Sequence, residues 1–270
     1  MAGSFDLCLC GAGNMGGAML AGWLESGFPA ERVTVIDPGP RGAMAELIAA
    51  SGIRHATSAP EGYRADVLMI AVKPQLMEVV LPGLAAVTSG ETVCVSVAAG
   101  TTIARIAGHL GDVPIVRCMP NTPALLRRGI TACCPNGRVS TAMRERVDTL
   151  LRAIGKTEWV DDERLIDAVT AVSGSGPAYV FHLAECMAAA GMVEGLPEAL
   201  ANALARETIA GAGEMLSQLP ESAAELRSNV TSPNGTTQAA LEKLTEDEAM
   251  AKLFARAIHA ARMRSEELSG

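Results

Sequence analysis

Leu7-Cys8-Leu9-Cys10-Gly11-Ala12-Gly13-Asn14-Met15-Gly16 decides how this chain folds. Four apolar residues form a short strand with no polar face, as in a strand buried on both sides. G-x-G-x-x-G follows at once, and the apolar spacing from Met15 onward is helical. A bare glycine triplet is weak evidence, but one placed between a strand and a helix is a dinucleotide fingerprint. Gly11 permits the tight turn, Gly13 lets the backbone approach a pyrophosphate, and Gly16 lets helix and strand pack closely. The helix start then offers free N–H groups and the positive end of its dipole to phosphate.

The same alternation continues outward from this stretch. Strands are expected at Leu7–Cys10, Val33–Ile36, Val67–Val72, Thr92–Val97, Ile115–Cys118, Ile130–Cys133 and Thr157–Val160. Helices fall between them at Met15–Ser26, Arg41–Ser51, Gln75–Ala86, Ile103–Leu110 and Thr141–Ala153. Apolar strands separated by helices predict a mostly parallel, doubly wound α/β sheet. Beyond Asp162 the pattern becomes helical only: Pro177–Ala190, Pro197–Leu219, Glu221–Val230, Thr236–Leu244 and Glu246–Leu268. The reading is therefore a Rossmann domain over 1–162 and an all-helical domain over 163–270. Ala and Gly recur at helical spacing in the second part, a surface suited to burial against a second subunit.

Composition narrows the function classes. Hydrophobic residues make up 49% and charged residues 19% of the chain, so a folded core is expected. A net charge of −8 with no basic run argues against nucleic acid, and 3% aromatics leave no base-stacking platform. No secretory signal is read at the N-terminus, and no run approaches the roughly 20 apolar residues of a membrane span. The chain reads as cytoplasmic, with no membrane partner. Its seven cysteines form no C-x-x-C pair and read as small buried hydrophobes in a reducing compartment. Four scattered histidines show no metal-ligand spacing, so no metal is expected.

Further motifs sit where strands end, and the carboxyl ends of parallel strands face the ligand crevice. Asp37 ends the second strand about 20 residues after Gly16, where an acidic residue bonds the adenosine ribose and favours NAD. Arg41 is an alternative contact for a 2′-phosphate, and Asp37 before Pro38-Gly39 is also an ordinary turn former. Ala71-Val72-Lys73-Pro74 and Val97-Ala98-Ala99-Gly100 end two further strands, and the small residues of the second leave room for a ring. Arg117-Cys118-Met119-Pro120-Asn121-Thr122-Pro123 ends another with a loop stiffened by two prolines. In the helical part, Ser173-Gly174-Ser175-Gly176-Pro177 leads into one helix, and Ser228-Asn229-Val230-Thr231-Ser232-Pro233-Asn234-Gly235-Thr236-Thr237 leads into another. The latter brings hydroxyls, turn residues and helix N–H groups together, enough to bind a carboxylate without arginine.

Taken in order, G-A-G-N-M-G, A-V-K-P, V-A-A-G, R-C-M-P-N-T-P, S-G-S-G-P-A-Y and S-P-N-G-T-T resemble pyrroline-5-carboxylate reductase over nearly the whole chain. The last motif, with its flanks from Leu226 to Leu241, is the most specific. The resemblance implies a Rossmann domain followed by a helical dimerisation domain, with homodimers assembling into larger homo-oligomers. It implies hydride transfer from NADPH or NADH to 1-pyrroline-5-carboxylate, giving L-proline. By motif, Gly11, Ala12, Gly13, Asn14, Met15, Asp37 and Ser58 would hold the cofactor's phosphates and adenosine side. Ala71, Val72, Lys73, Pro74, Val97, Ala98, Ala99 and Asn229 would line its nicotinamide half. Ser232, Gly235, Thr236 and Thr237 would hold the substrate, Thr237 acting on the ring nitrogen, with Glu163 at the pocket edge. Two departures stand out. Asn234 replaces a usual glycine, which asparagine's tolerance of the left-handed region accommodates. Asp37 replaces the serine or threonine of several NADPH-preferring members, which makes NADH use plausible.

Two other classes share parts of this pattern. A β-hydroxyacid-type dehydrogenase also joins a Rossmann domain to helices, but relies on a lysine in the first long helix of the second domain, absent from Pro177–Ala190. A non-catalytic NAD(P)-binding regulatory module has no use for a carboxylate-binding loop.

Overall fold

Strand residues alternate between the two faces of a sheet, and here both faces are covered. The computed structural model describes residues 5 to 269. Its elements in chain order are β1 (Leu7–Cys10), α1 (Asn14–Glu25), β2 (Val33–Ile36), α2 (Ala43–Ser51), β3 (Arg54–Ala56), β4 (Val67–Ile70), α3 (Met77–Leu84), β5 (Val93–Ser96) and α4 (Ile103–Leu110). They continue with β6 (Ile115–Met119), β7 (Gly129–Pro135), α5 (Thr141–Leu151), β8 (Gly155–Trp159) and α6 (Leu165–Val169). The helices α7 (Gly176–Val193), α8 (Glu198–Gln218), α9 (Ala223–Asn229), α10 (Thr236–Thr245) and α11 (Ala249–Ser269) follow.

The strands form one 8-stranded sheet in the order β3-β2-β1-β4-β5-β6-β7-β8. Leu7, Leu9, Val67 and Met69 point into one apolar cluster with Leu20 and Trp23 of α1. Their neighbours Cys8, Cys10, Leu68 and Ile70 point into a second cluster with Leu81 and Ile106 of α3 and α4. This is the doubly wound arrangement expected from the continuous apolar strands. Helix α1 is drawn close: a β-carbon at Gly22 would stand 2.7 Å from the Ala153 carbonyl oxygen. The buried Trp23 Nε1–H also donates to the Leu150 carbonyl at 2.8 Å.

Three details differ from the expectation. Strand β3 was not foreseen; it is a three-residue edge strand with Arg54 and His55 exposed, so it carries no apolar signal. Strand β7 runs antiparallel to β6, with Cys118 opposite Cys133, while β8 returns parallel to β7. The expected helix over Gln75–Ala86 is broken into a 3-10 turn, α3 and a second 3-10 turn, with Pro82 inside α3.

The residues group into two compact units, one running through Gly174 and taking back the chain from Ala261, the other spanning Ser175–Ala260. This grouping places 163–174 with the sheet, whereas the sequence reading began the helical domain at 163. The physical reason is that Ile166 of α6 packs with Ala132 and Cys134 of β7. A π-helical run over Thr170–Gly174 follows α6. The second unit is built differently. Its fully buried hydrophobic residues are small, Ala188, Ala201 and Ala205, where α7 and α8 approach each other.

All seven cysteines are free, and all but Cys186 are buried. Burial, and then the charge of Asp37, push the Cys10 thiol up from 9.0 to about 12. Burial alone does the same to Cys94. The unfolded chain loses these protons near pH 9 while the folded chain keeps them, so the stabilisation is complete below about pH 9 and declines as pH rises toward about 12. The urea midpoint should fall between about pH 8 and about pH 10, with the buried thiols unreactive to alkylating reagents in the native state. An unchanged midpoint would contradict this assignment.

Candidate active site

At the carboxyl ends of β1 and β4 the chain departs toward opposite faces of the sheet, opening a crevice there. Gly11 follows β1 with φ of 92°, and its N–H donates to the Ile36 carbonyl at 2.9 Å. A β-carbon on Gly11 would stand 2.8 Å from the Ala71 carbonyl oxygen. One on Gly16 would stand 2.0 Å from the Gly11 carbonyl oxygen, so α1 reaches the turn only because that atom is missing. At Gly13 a β-carbon would meet nothing within 4 Å, leaving that face open. Gly11 and Gly16 thus fill the turn and packing roles read from the motif, and Gly13 is left uncovered. Gly13 is also the N-cap of α1, and no side chain caps that helix. By contrast, Thr102 caps α4 and Ser140 caps α5. The N–H groups at the start of α1 are therefore available to an anion.

The crevice has a volume of 670 Å³ and is bordered by Gly13, Asp37, Ser58, Ala71, Val72 and Lys73, with Arg41 on the same wall. Ala12 and Asn14 border an adjoining hollow, again with Asp37 and Arg41. Asp37 is held rigidly. One carboxylate oxygen accepts the Ala12 N–H at 2.8 Å and the other accepts the Gly39 N–H at 2.8 Å. Asp37 therefore forms the turn and also borders the crevice.

The Met15 side chain is half-buried against the apolar core, and its backbone lies in the first turn of α1. Pro74 opens the 3-10 turn after Lys73. Val97 packs against the core, Ala98 is buried and Ala99 is half-buried, so this loop presents little beyond backbone and methyl groups. Glu163 is turned to other partners: its Oε1 accepts the Ile103 N–H at 2.8 Å and pairs with Arg117 Nη1 at 3.0 Å. The motif at the end of β6 includes Arg117 without assigning it a role. Its location inside an otherwise apolar strand was the available signal that a buried charge needs partners there.

In the second unit, Asn229 ends α9 and Gly235 is the N-cap of α10. Asn234 adopts φ of 58°, the left-handed conformation that its replacement of glycine requires. Its N–H donates to Gln238 Oε1 at 2.8 Å, and the Gly235 N–H donates to the Ser232 carbonyl at 3.0 Å. A β-carbon on Gly235 would lie 2.4 Å from Ser232 Oγ, so the turn is closed tightly. No side chain caps α10, and Thr236 and Thr237 occupy its first turn with Thr236 exposed. Free N–H groups and two hydroxyls therefore lie together on this turn. Helix α7 contains no lysine, which removes the feature a β-hydroxyacid-type dehydrogenase would need.

A glycine turn feeding an uncapped helix at the switch point, with an acidic residue ending β2, defines a nicotinamide-dinucleotide oxidoreductase of the Rossmann type. The comparisons narrow the class. Residues 6–100 match the model described as NADP oxidoreductase coenzyme F420-dependent, and residues 163–268 match pyrroline-5-carboxylate reductase dimerisation. The pyrroline-5-carboxylate reductase of Pseudomonas aeruginosa is 42% identical over 97% of this chain and 96% of its own length. That of Escherichia coli is 39% identical over 87% of this chain and 88% of its own. Among solved structures, the Coxiella burnetii pyrroline-5-carboxylate reductase superposes with a TM-score of 0.91 at 33% identity, covering 99% of both chains. The Plasmodium falciparum pyrroline carboxylate reductase, solved with NADP bound, gives 0.82 at 26% identity over 100% of both. The chain belongs to the pyrroline-5-carboxylate reductase family.

The glycines separate affinity from stability. Gly13→Ala should leave the melting temperature close to wild type and weaken NAD(P)H binding by roughly tenfold or more, because the new methyl occupies open crevice. Gly16→Ala should destabilise the fold by about 1–3 kcal/mol through overpacking. Fluorescence titration and thermal melts read both. Equal effects on affinity and stability in the two variants would overturn the division of roles.

Proposed function

We propose that the chain is an NAD(P)H-dependent reductase that converts 1-pyrroline-5-carboxylate to L-proline, the last step of proline biosynthesis. The observation that carries this reading is the uncapped Ser232–Thr237 turn, occurring in a chain that also has an uncapped glycine turn at the sheet's switch point. One suits a carboxylate and the other a dinucleotide phosphate.

When bound, the reduced nicotinamide supplies the hydride. The protein's part is to bind and orient. The amides of Gly13, Asn14 and Met15 hold phosphate, and the fixed Asp37 carboxylate takes the adenosine ribose, with Ser58 beside it. Because that carboxylate is tied by two backbone N–H groups, it cannot swing away from a 2′-phosphate. This favours NADH, with Arg41 as the opposing influence. The loops Ala71–Pro74 and Val97–Ala99 form the nicotinamide side, with Asn229 contributing, and Glu163 stands at the edge of the substrate pocket. Ser232, Gly235 and Thr236 bind the substrate carboxylate. The Thr237 hydroxyl orients the ring nitrogen by a hydrogen bond. None of these hydroxyls is an acid at neutral pH, so the nitrogen's proton comes from solvent or is already present on the imine.

The second unit exposes large apolar side chains, including Phe181 at 66% and Val193 at 85%, around a core of small alanines. Such a surface suits burial in a homodimer, in keeping with the dimerisation family it matches. Further assembly of dimers into a larger homo-oligomer in the cytoplasm completes the reading. No helix of the described residues is long and apolar enough to cross a membrane.

The test is spectrophotometric oxidation of NADH and of NADPH with 1-pyrroline-5-carboxylate. Turnover is expected with both donors, faster with NADH. Thr237→Ala should lower kcat/KM roughly tenfold or more while cofactor affinity stays nearly intact, since one oriented hydrogen bond to a charged group is lost. No turnover in the wild type would refute the reading, and wild-type kinetics in the variant would remove Thr237 from the mechanism.

A further inference from the structure

The expected nicotinamide-facing loop is held in place by an ion-pair relay behind it. Arg117 of β6 is only 3% exposed and its guanidinium is shared. One nitrogen pairs with Glu163 at 3.0 Å, and the other lies 3.5 Å from Asp167 and 3.3 Å from Ser269 Oγ. The buried Asp167 carboxylate accepts the Ser265 hydroxyl at 2.7 Å and the Ser269 hydroxyl at 3.3 Å. Both serines belong to the last turns of α11. At the other end of the relay, Glu163 accepts the N–H of Ile103, the first residue of α4, which directly follows the loop. The same helix turn meets the loop a second time. Gly100 sits at φ of 68°, and a β-carbon there would stand 2.9 Å from the Leu268 carbonyl oxygen.

The loop from Val97 to Thr102 is thus gripped at two points, and both grips trace to the end of α11. We propose that the turn from Ser265 to Ser269 is a buttress for this loop, with Ser265 and Arg117 as positioning residues that fix the height of its backbone. A buried ion-pair relay is an economical device for this purpose. Its geometry is specified by a planar fork and two carboxylates, so it admits one arrangement where apolar packing would admit several. Methyl-lined loops such as Ala98–Ala99 have no side chain with which to seat a ring, so the position of their backbone decides the fit. The inference rests on the reductase reading of the crevice. It adds Ser265, which neither the motifs nor the proposed binding set contains, and gives Arg117 of the β6 motif a role.

The test uses the full chain. Ser265→Ala deletes the 2.7 Å bond to Asp167 and leaves the helix otherwise intact. Amide hydrogen exchange of residues 97–103 in the protein without cofactor should accelerate by roughly tenfold or more, while the core strands keep their protection. With 4-deuterated NADH or NADPH, kcat should fall roughly tenfold and the isotope effect on hydride transfer should rise, while the KM for the imine stays within about twofold. Arg117→Lys keeps the charge but loses the fork and should show the same pattern. If it fails to fold, Ser265→Ala carries the test alone. Wild-type loop exchange and an unchanged isotope effect in Ser265→Ala would overturn the proposal, even if its melting temperature fell. Lack of turnover in the wild type would instead fail the reductase reading, leaving the exchange result to judge the buttress.

Discussion

The molecule depends on one close approach, between the start of α1 and the turn that follows β1. The missing β-carbon at Gly16 lets the helix come within reach of the Gly11 carbonyl. Gly11 in turn can lie against Ala71 only because it too lacks a side chain. That contact brings β1, β4 and α1 to one point and leaves the helix N–H groups facing a crevice. Any side chain at either position would push the helix away from the sheet, and with it the group of amides that makes the crevice a place for phosphate.

Side chains cap some helices and leave others, α2, α7 and α8 among them, without a cap. Helices α4, α5 and α9 are closed by Thr102, Ser140 and Ser222, each satisfying the first-turn amides from within the chain. Helices α1 and α10, proposed to meet ligands, begin at glycines and also have no side-chain cap. Leaving a cap out costs about 1 kcal/mol or so of helix stability, and a bound anion restores it. The matched family models cover the glycine turn in one part and the helical dimerisation region in the other.

Much of this was legible in the residues. The alternation of apolar strands and helices is a local signal, so the sheet and most helices fell where periodicity put them, and α4 did so to the residue. The left-handed Asn234 followed from one residue's conformational tolerance. What escaped was non-local. Strand β3 exists because its neighbour offers an edge to pair with, not because Arg54-His55-Ala56 favours a strand. The reversal of β7 depends on a connection whose direction periodicity does not encode. The engagement of Glu163 by Arg117, and of Asp167 by Ser265, joins residues far apart in the chain, and no spacing rule links them.

The most direct measurement is a crystal structure of the protein with an oxidised nicotinamide cofactor and L-proline bound together. The proposed function requires the pyrophosphate over the Gly13 turn and the proline nitrogen within hydrogen-bond reach of a Thr237 hydroxyl, from the same chain or its partner. Proline seated away from every Thr237, or a dinucleotide seated away from the glycine turn, would contradict it.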